Sequence, residues 1–331
     1  MDVFVSNTTD VVVDINGFSL SPASAFSPPR LSMVCTGTTR PQITITPPGG
    51  VPAVISPCVM VLEPRFQYGG FVPIPPCRIS DTRSAYPGPL TDATGAPSWF
   101  QGIPVPRFLG ASTRSFPVPL SNCGLPSTAL AYSLNATVVP RSQLSYLTLF
   151  PTGQSQPLVS TLNSFDGRVV ANAAIVPAGA AGAINGFATA DTELILDANG
   201  YFGSSNTTAP LLFHPLQPCR ALDTRLPSSA LAGARLNGGA SLDLNVSATG
   251  CGIPAGARAL SINVTVVPAG SLAFLTVYPA GQPRPLVSTL NAFQGQITAN
   301  AAIVPTGTNG GIRIFATDPT HVVVDVNGYF Q

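Results

Sequence analysis

The feature that most constrains this chain is that it repeats itself. Residues 123–202 superimpose on residues 251–330 without a gap, at a constant offset of 128. Pro157–Asn163 returns as Pro285–Asn291, and Ala171–Pro177 returns as Ala299–Pro305. The copies start upstream, at Pro76-Cys-Arg-Ile-Ser-Asp-Thr-Arg83 and Pro218-Cys-Arg-Ala-Leu-Asp-Thr-Arg225. There the offset is 142, so the first copy holds about 14 extra residues, read as the Pro/Gly-rich loop Tyr86–Gly110. A unit repeated at this spacing must fold the same way twice. A third piece, Phe4–Phe18, matches Phe315–Tyr329 in unbroken register and reads as the closing hairpin of a repeat whose earlier strands are missing.

Within a copy the apolar period is two, the signature of a half-buried strand. In Ala129–Val138 one face carries Ser133, Asn135 and Thr137, and the other carries Tyr132, Leu134, Ala136 and Val138. Strands are expected at 78–82, 114–119, 129–139, 145–150, 158–162, 168–176, 183–188 and 193–198. Turn residues separate them, among them Gly153, Gly167, Gly179, Gly182 and the pair Asn199-Gly200. The fold class that follows is all-β: tandem antiparallel β-sandwich domains of about eight strands each, with a small barrel as the alternative. Residues 1–75 join the partial repeat to a smaller Pro-rich β segment with strand-like patches at Gln42–Thr46, Ala53–Ile55, Val59–Leu62 and Phe66–Ile74. Residues 76–203 form the first sandwich, 204–217 a linker, and 218–331 the second sandwich.

Composition removes several function classes. Hydrophobic residues make up 45% of the chain, yet no apolar run approaches the ~20 residues of a spanning helix. The 35 Pro and 31 Gly argue against long helices. All 15 basic residues are Arg and the net charge is +1, so no basic field exists for nucleic acid or anionic lipid. Only 9% of residues are charged, against about 25% in ordinary soluble proteins, which leaves a surface weakly protected from self-association. The opening Met1-Asp2-Val3-Phe4 lacks the basic start and apolar core of a signal peptide. The chain is therefore read as processed or as part of a longer product.

The six cysteines pair by repeat logic. Cys77 and Cys219 are equivalent, as are Cys123 and Cys251, while Cys35 and Cys58 share the unmatched segment. The expected bridges are Cys77–Cys123, Cys219–Cys251 and Cys35–Cys58. No short CxxC spacing or neighbouring histidine favours a metal, and disulfides place the protein outside the reducing cytosol.

Charges are scarce enough that recurrent ones invite a catalytic test. Asp81 and Arg83 recur as Asp223 and Arg225, Arg78 as Arg220, and Asp197 as Asp325 and Asp14. His214 and His321 are not equivalent, so no Ser-His-Asp set recurs in both copies. The expected role is structural: Arg78 or Arg83 with Asp197, and Arg220 or Arg225 with Asp325, tying first strand to last. Asp-x-Asn-Gly at Asp197–Gly200 and Asp325–Gly328 lacks the acidic positions of a calcium loop and reads as a strand followed by a turn. Tyr201, Phe202, Tyr329 and Phe330 read as core plugs. Asn135, Asn163, Asn172 and their partners Asn263, Asn291 and Asn300 read as bridges between backbone groups inside the sandwich. The chain presents no catalytic residue, metal site or cofactor site.

Asp-Thr-Arg, Cys-Gly-x-Pro, Ser-Thr-Leu-Asn, Ala-Asn-Ala-Ala-Ile-Val-Pro and Val-Val-Asp-Val-Asn-Gly-Tyr-Phe together resemble a repeat module of secreted bacterial surface proteins. The resemblance covers roughly 76–202 and 218–330 plus the 4–18 fragment. It implies a tandem, extracellular architecture and no activity. The expected function is a self-associating extracellular building block of a filament or surface layer, its partner being itself. The strand Val11-Val12-Val13-Asp14-Ile15 is the candidate subunit contact. The rival reading is a carbohydrate-binding adhesin or spacer, with cell-wall or extracellular polysaccharide as partner and the cluster Tyr86, Trp99, Phe100 and Phe108 as its platform. Without Lys, isopeptide or sortase links are excluded and any polymer is held by non-covalent strand and face contacts.

Overall fold

Alternating side chains on short strands can bury their apolar faces only by stacking one sheet on another, and the computed structural model shows this twice. It describes residues 70–83, 108–203, 210–229 and 231–331 in full. It also describes the backbone of the short strands Leu31–Cys35, Ile43–Ile45, Ala53–Ile55, Cys58–Leu62, Leu90–Thr91 and Pro97–Ser98.

The first sandwich contains β1 (Gly70–Asp81), β2 (Ser112–Phe116), β3 (Ala131–Pro140) and β4 (Leu144–Pro151). It continues with β5 (Leu162–Ser164), β6 (Val170–Pro177), β7 (Ile184–Ala188) and β8 (Thr192–Gly203). The second contains β9 (Phe213–Asp223), β10 (Ser241–Asn245), β11 (Ala259–Pro268) and β12 (Leu272–Pro279). Its last four are β13 (Leu290–Ala292), β14 (Thr298–Pro305), β15 (Gly311–Ala316) and β16 (Thr320–Phe330).

The first sandwich has sheet orders β5-β4-β7-β2 and β6-β3-β8-β1, all pairs antiparallel; the second has β13-β12-β15-β10 and β14-β11-β16-β9. Eight strands distributed over two sheets in this order make a jelly roll. Tyr132, Leu134, Ala136 and Val138 of β3 face the core, where they meet Leu147, Ile184, Leu194 and Leu196. Ile262, Val264 and Val266 of β11 do the same in the second copy.

Both sandwiches begin earlier than the repeat identity does. Gly70 and Phe71 of β1 pair with Gly203 and Phe202, and Phe213 of β9 pairs with Phe330. Backbone pairing needs no matching side chains, so residues 70–75, expected as strand in the N-terminal segment, belong to the first sandwich, and residues 213–217 are strand rather than linker. The pair Asn199-Gly200 is not a turn either. It lies inside β8 at a register shift, and a Cβ at Gly200 would stand 2.4 Å from the Phe71 ring. Gly328 meets Phe213 in the same way. The missing side chain admits the aromatic ring of the first strand.

In the second sandwich the Phe315–Tyr329 stretch is not a hairpin: its two strands, β15 and β16, belong to different sheets and do not pair. Its N-terminal relative, Phe4–Phe18, lies outside the described residues, and with it Val11, Val12, Val13, Asp14 and Ile15. Residues 20–68 form a separate compact unit. In it, Leu31–Cys35 runs antiparallel to Cys58–Leu62 with Cys35 opposite Cys58, and Ile43–Ile45 pairs with Ala53–Ile55. The side chains of Cys35 and Cys58 lie outside the described ones.

Candidate functional site

The scarce charges gather where the first strand meets the last. β1 places Arg78 opposite Asp197 of β8, and Asp197 in turn lies opposite Asn135 of β3. Arg78 donates from Nε to Asp197 Oδ1 at 2.9 Å and from NH1 to Asp81 Oδ2 at 2.9 Å. Arg83 does not reach Asp197; its guanidinium and backbone N–H both close on Asp81. The second sandwich repeats the network: Arg220 bridges Asp325 and Asp223, while Arg225 closes on Asp223. Next to each cluster sits a disulfide, Cys77–Cys123 and Cys219–Cys251.

Burial sets the electrostatics of these carboxylates. Desolvation of Asp197 outweighs the opposing Arg78 charge and pushes its pKa up to about 6. Burial also penalises the Asp81 carboxylate, but hydrogen bonds from Arg83 and the charges of Arg83 and Arg78 prevail and hold it below the ordinary range. Hydrogen bonds from Arg225 hold Asp223 well below that range.

Asp197 is buried because the second sandwich covers it. The outer face of the β6-β3-β8-β1 sheet receives the edge of the second sandwich, made of β14 and the segment leading into β13. Asn135 Nδ2 donates to the Ser288 carbonyl at 2.8 Å, and Asn300 Nδ2 donates to Asn135 Oδ1 at 2.8 Å. The Ala173 backbone N–H donates to Asn300 Oδ1 at 3.0 Å, and the backbone N–H of Ser288 is turned to Asp197 and favours its charged form. The cleft left among Pro76, Asn135, Asp197, Val287 and Ser288 has room for about one water molecule. Beside it an aromatic cluster closes the junction. Phe71 lies 4.8 Å from Phe330 between ring centroids, and its backbone bonds to Leu211 in both directions.

Asn135 thus differs from its expected role: it bridges the two sandwiches, whereas Asn163, Asn172 and Asn291 bond to backbone carbonyls of their own sandwich. Residue spacing could not separate the two cases, because all these asparagines sit on similar strands. Ser288, Thr289 and Asn300 were not singled out as a contact for the same reason.

The remaining candidates find structural partners. His214 stacks on Tyr329 with centroids 4.9 Å apart, and His321 contacts Thr224 as Glu193 contacts Thr82. Phe202 and Phe330 pack in the junction cluster. Phe108, offered as part of a sugar platform, is fully buried against Phe116 and is removed from it; Tyr86, Trp99 and Phe100 lie outside the described residues. Among the described residues no three His, Cys, Asp or Glu side chains group as metal ligands, and no helix is long and apolar enough to cross a membrane.

No protein-family model matches the chain, and no curated protein matches its sequence. Among solved structures it is similar to the N-terminal CBM22-1-CBM22-2 tandem domain from Paenibacillus barcinonensis Xyn10C. That likeness has 10% identity and a TM-score of 0.24, and it covers 78% of this chain and 99% of that one. It is also similar to the major capsid protein P2 from bacteriophage PM2, at 12% identity, a TM-score of 0.18 and coverage of 68% and 95%. Neither likeness is strong enough to carry an argument about function.

Proposed function

We propose that the protein is a structural, self-associating component of the extracellular space, the subunit of a filament or surface layer, and not an enzyme. One observation carries this reading: buried polar residues, Asn135 and Asn300 with Asp197 held beside them by Arg78, are spent on the contact that joins one sandwich to the next. A protein whose best polar chemistry makes an interface is built for interfaces. The disulfides Cys77–Cys123 and Cys219–Cys251 support a location outside the reducing cytosol, and kinship with the repeat module of secreted bacterial surface proteins belongs to the same proposal. Light scattering and negative-stain microscopy of the oxidised protein test it. The expected result is concentration-dependent growth into regular assemblies; a monodisperse monomer at every concentration would overturn it.

A second reading has its own observation. Phe165 and Phe293 occupy equivalent positions and are 63% and 42% exposed, a repeated aromatic surface that suits stacking on sugar rings. Binding of polysaccharide by a monomer, lost in Phe165→Ala with Phe293→Ala, would favour an adhesin or spacer.

A further inference from the structure

The contact inside the chain joins two different surfaces. The first sandwich offers a sheet face bearing Asn135 and Asp197; the second offers an edge bearing Val287, Ser288, Thr289 and Asn300. Because the sandwiches are copies, each also carries the surface that the other one used. The second sandwich has its own face, with Arg220, Asn263 and Asp325. The first has its own edge, with Val159, Ser160, Thr161 and Asn172. Residue types are identical at every one of these paired positions.

Burial is reversed between the copies. The Asp197 side chain is 1% exposed and that of Asp325 is 32%. On the edge the order flips, with Val287 at 8% and Val159 at 38%. Asn300 is buried and Asn172 is exposed; Asn135 is buried and bonded across the junction, while Asn263 is half-buried with no side-chain partner among the described residues. The unused face is nevertheless assembled, since Arg220 already clamps Asp325 and Asp223 as Arg78 clamps Asp197 and Asp81. Covering it buries a carboxylate that has its counter-charge, which avoids the cost of an unpaired ion.

We infer that the vacant face of the second sandwich binds the vacant edge of the first sandwich of another copy, in the geometry seen within the chain. This rests on the self-association proposed above and names its surfaces. Asn263 then donates to the Ser160 and Thr161 carbonyls of the next copy, and the Ser160 backbone N–H of that copy meets Asp325. A face and an edge are different surfaces, so the contact is heterologous; copies add head to tail without closing, as a filament requires.

Asn263→Arg blocks the face and Val159→Arg blocks the edge, and neither side chain takes part in the hydrogen bonds that join the two sandwiches within the chain. Asn263→Asp and Ser160→Arg serve in their place should either arginine variant fail to fold. Each variant should keep the wild-type melting temperature and lose assembly in light scattering. An equimolar mixture of the two should form a dimer and nothing longer, because only one face and one edge remain competent. If the wild type assembles but either variant assembles equally, or the mixture stays monomeric, these surfaces are wrong while self-association stands. If the wild type stays monomeric at every concentration, the self-association itself falls.

Discussion

The two sandwiches carry the same polar constellation in opposite environments. Arg78 is 13% exposed and Arg220 48%, although both hold two carboxylates from the same register positions. The fold places the side chains; docking of a neighbour decides whether they are buried. What differs between the copies is therefore not the site but its cover, and energetic weight should follow the cover.

Four measurements break or sharpen that comparison. The largest asymmetry is expected at the aspartates. Asp197→Ala takes one of two carboxylates from the buried Arg78, leaving it on Asp81, and should cost about 3 kcal/mol in chemical denaturation. Asp325→Ala should cost at most about 1 kcal/mol, as for an exposed pair. Equal costs would show that burial of the first pair has no energetic consequence.

The disulfides are the symmetric control. They span 46 and 32 residues. Replacing either pair of cysteines by serine should cost about 4 kcal/mol in the chain-entropy model. Thermal melts check the magnitude, and non-reducing peptide mapping checks the pairing. A large difference between them would mean that the two sandwiches are not energetically equivalent even away from their junction.

The pH dependence isolates Asp197. Its folded pKa of about 6 lies above the ordinary 3.8, so the folded state binds the proton more tightly than the unfolded chain. Its contribution is fully present below about pH 4 and is lost as pH rises through 6, a span of about 3 kcal/mol. The depressed carboxylates of Asp81 and Asp223 act oppositely, but only as the pH falls below the ordinary carboxylate range. His321, held below the ordinary histidine range by burial and the nearby arginines, opposes this over the same window. The rise between pH 7 and pH 5 assigned to Asp197 is therefore read as the difference between wild type and Asp197→Asn. Asp197→Asn should flatten that rise, and Asp325→Asn should leave it in place.

The smallest effect concerns the asparagines. Asn135→Ala removes the donor to the Ser288 carbonyl and one of two acceptors of the Asn300 amide, which keeps the Thr289 carbonyl, and should cost about 1–3 kcal/mol. Asn263→Ala should fall within about 0.5 kcal/mol in the monomer, as surface substitutions do. A cost at Asn263 that appears only at assembling concentrations would tie it to the intermolecular contact.

Much of the architecture was legible in the sequence. The period of two in Ala129–Val138 specifies a strand with one apolar face, whatever its neighbours are, and the gapless repeat transfers every strand of one copy to the other. Cys77 with Cys123 and Cys219 with Cys251 followed from equivalence alone. The strand positions were close, with one displaced: the stretch expected at 158–162 forms at Leu162–Ser164, because Val159 and Thr161 reach the neighbouring strand through the Thr148 and Thr161 hydroxyls in place of a regular ladder. Asn199-Gly200 was misread because an Asn-Gly pair has the same local chemistry in a hairpin turn as at a bulge that admits a ring.

By itself the sequence determined the class of fold, the duplication, the cysteine partners and the Arg–Asp chemistry at the ends of the sandwich. All of these depend on local periodicity or on one copy answering the other. Only the tertiary structure decided which sheet each strand joins, that Arg78 and not Arg83 reaches Asp197, and that Asn135 faces a neighbour while Asn263 does not. The physical reason is that identical residues carry identical local preferences. Their difference in burial arises from a rigid-body contact between Asn135 and Ser288, 153 positions apart in the chain. No period or motif encodes such a contact.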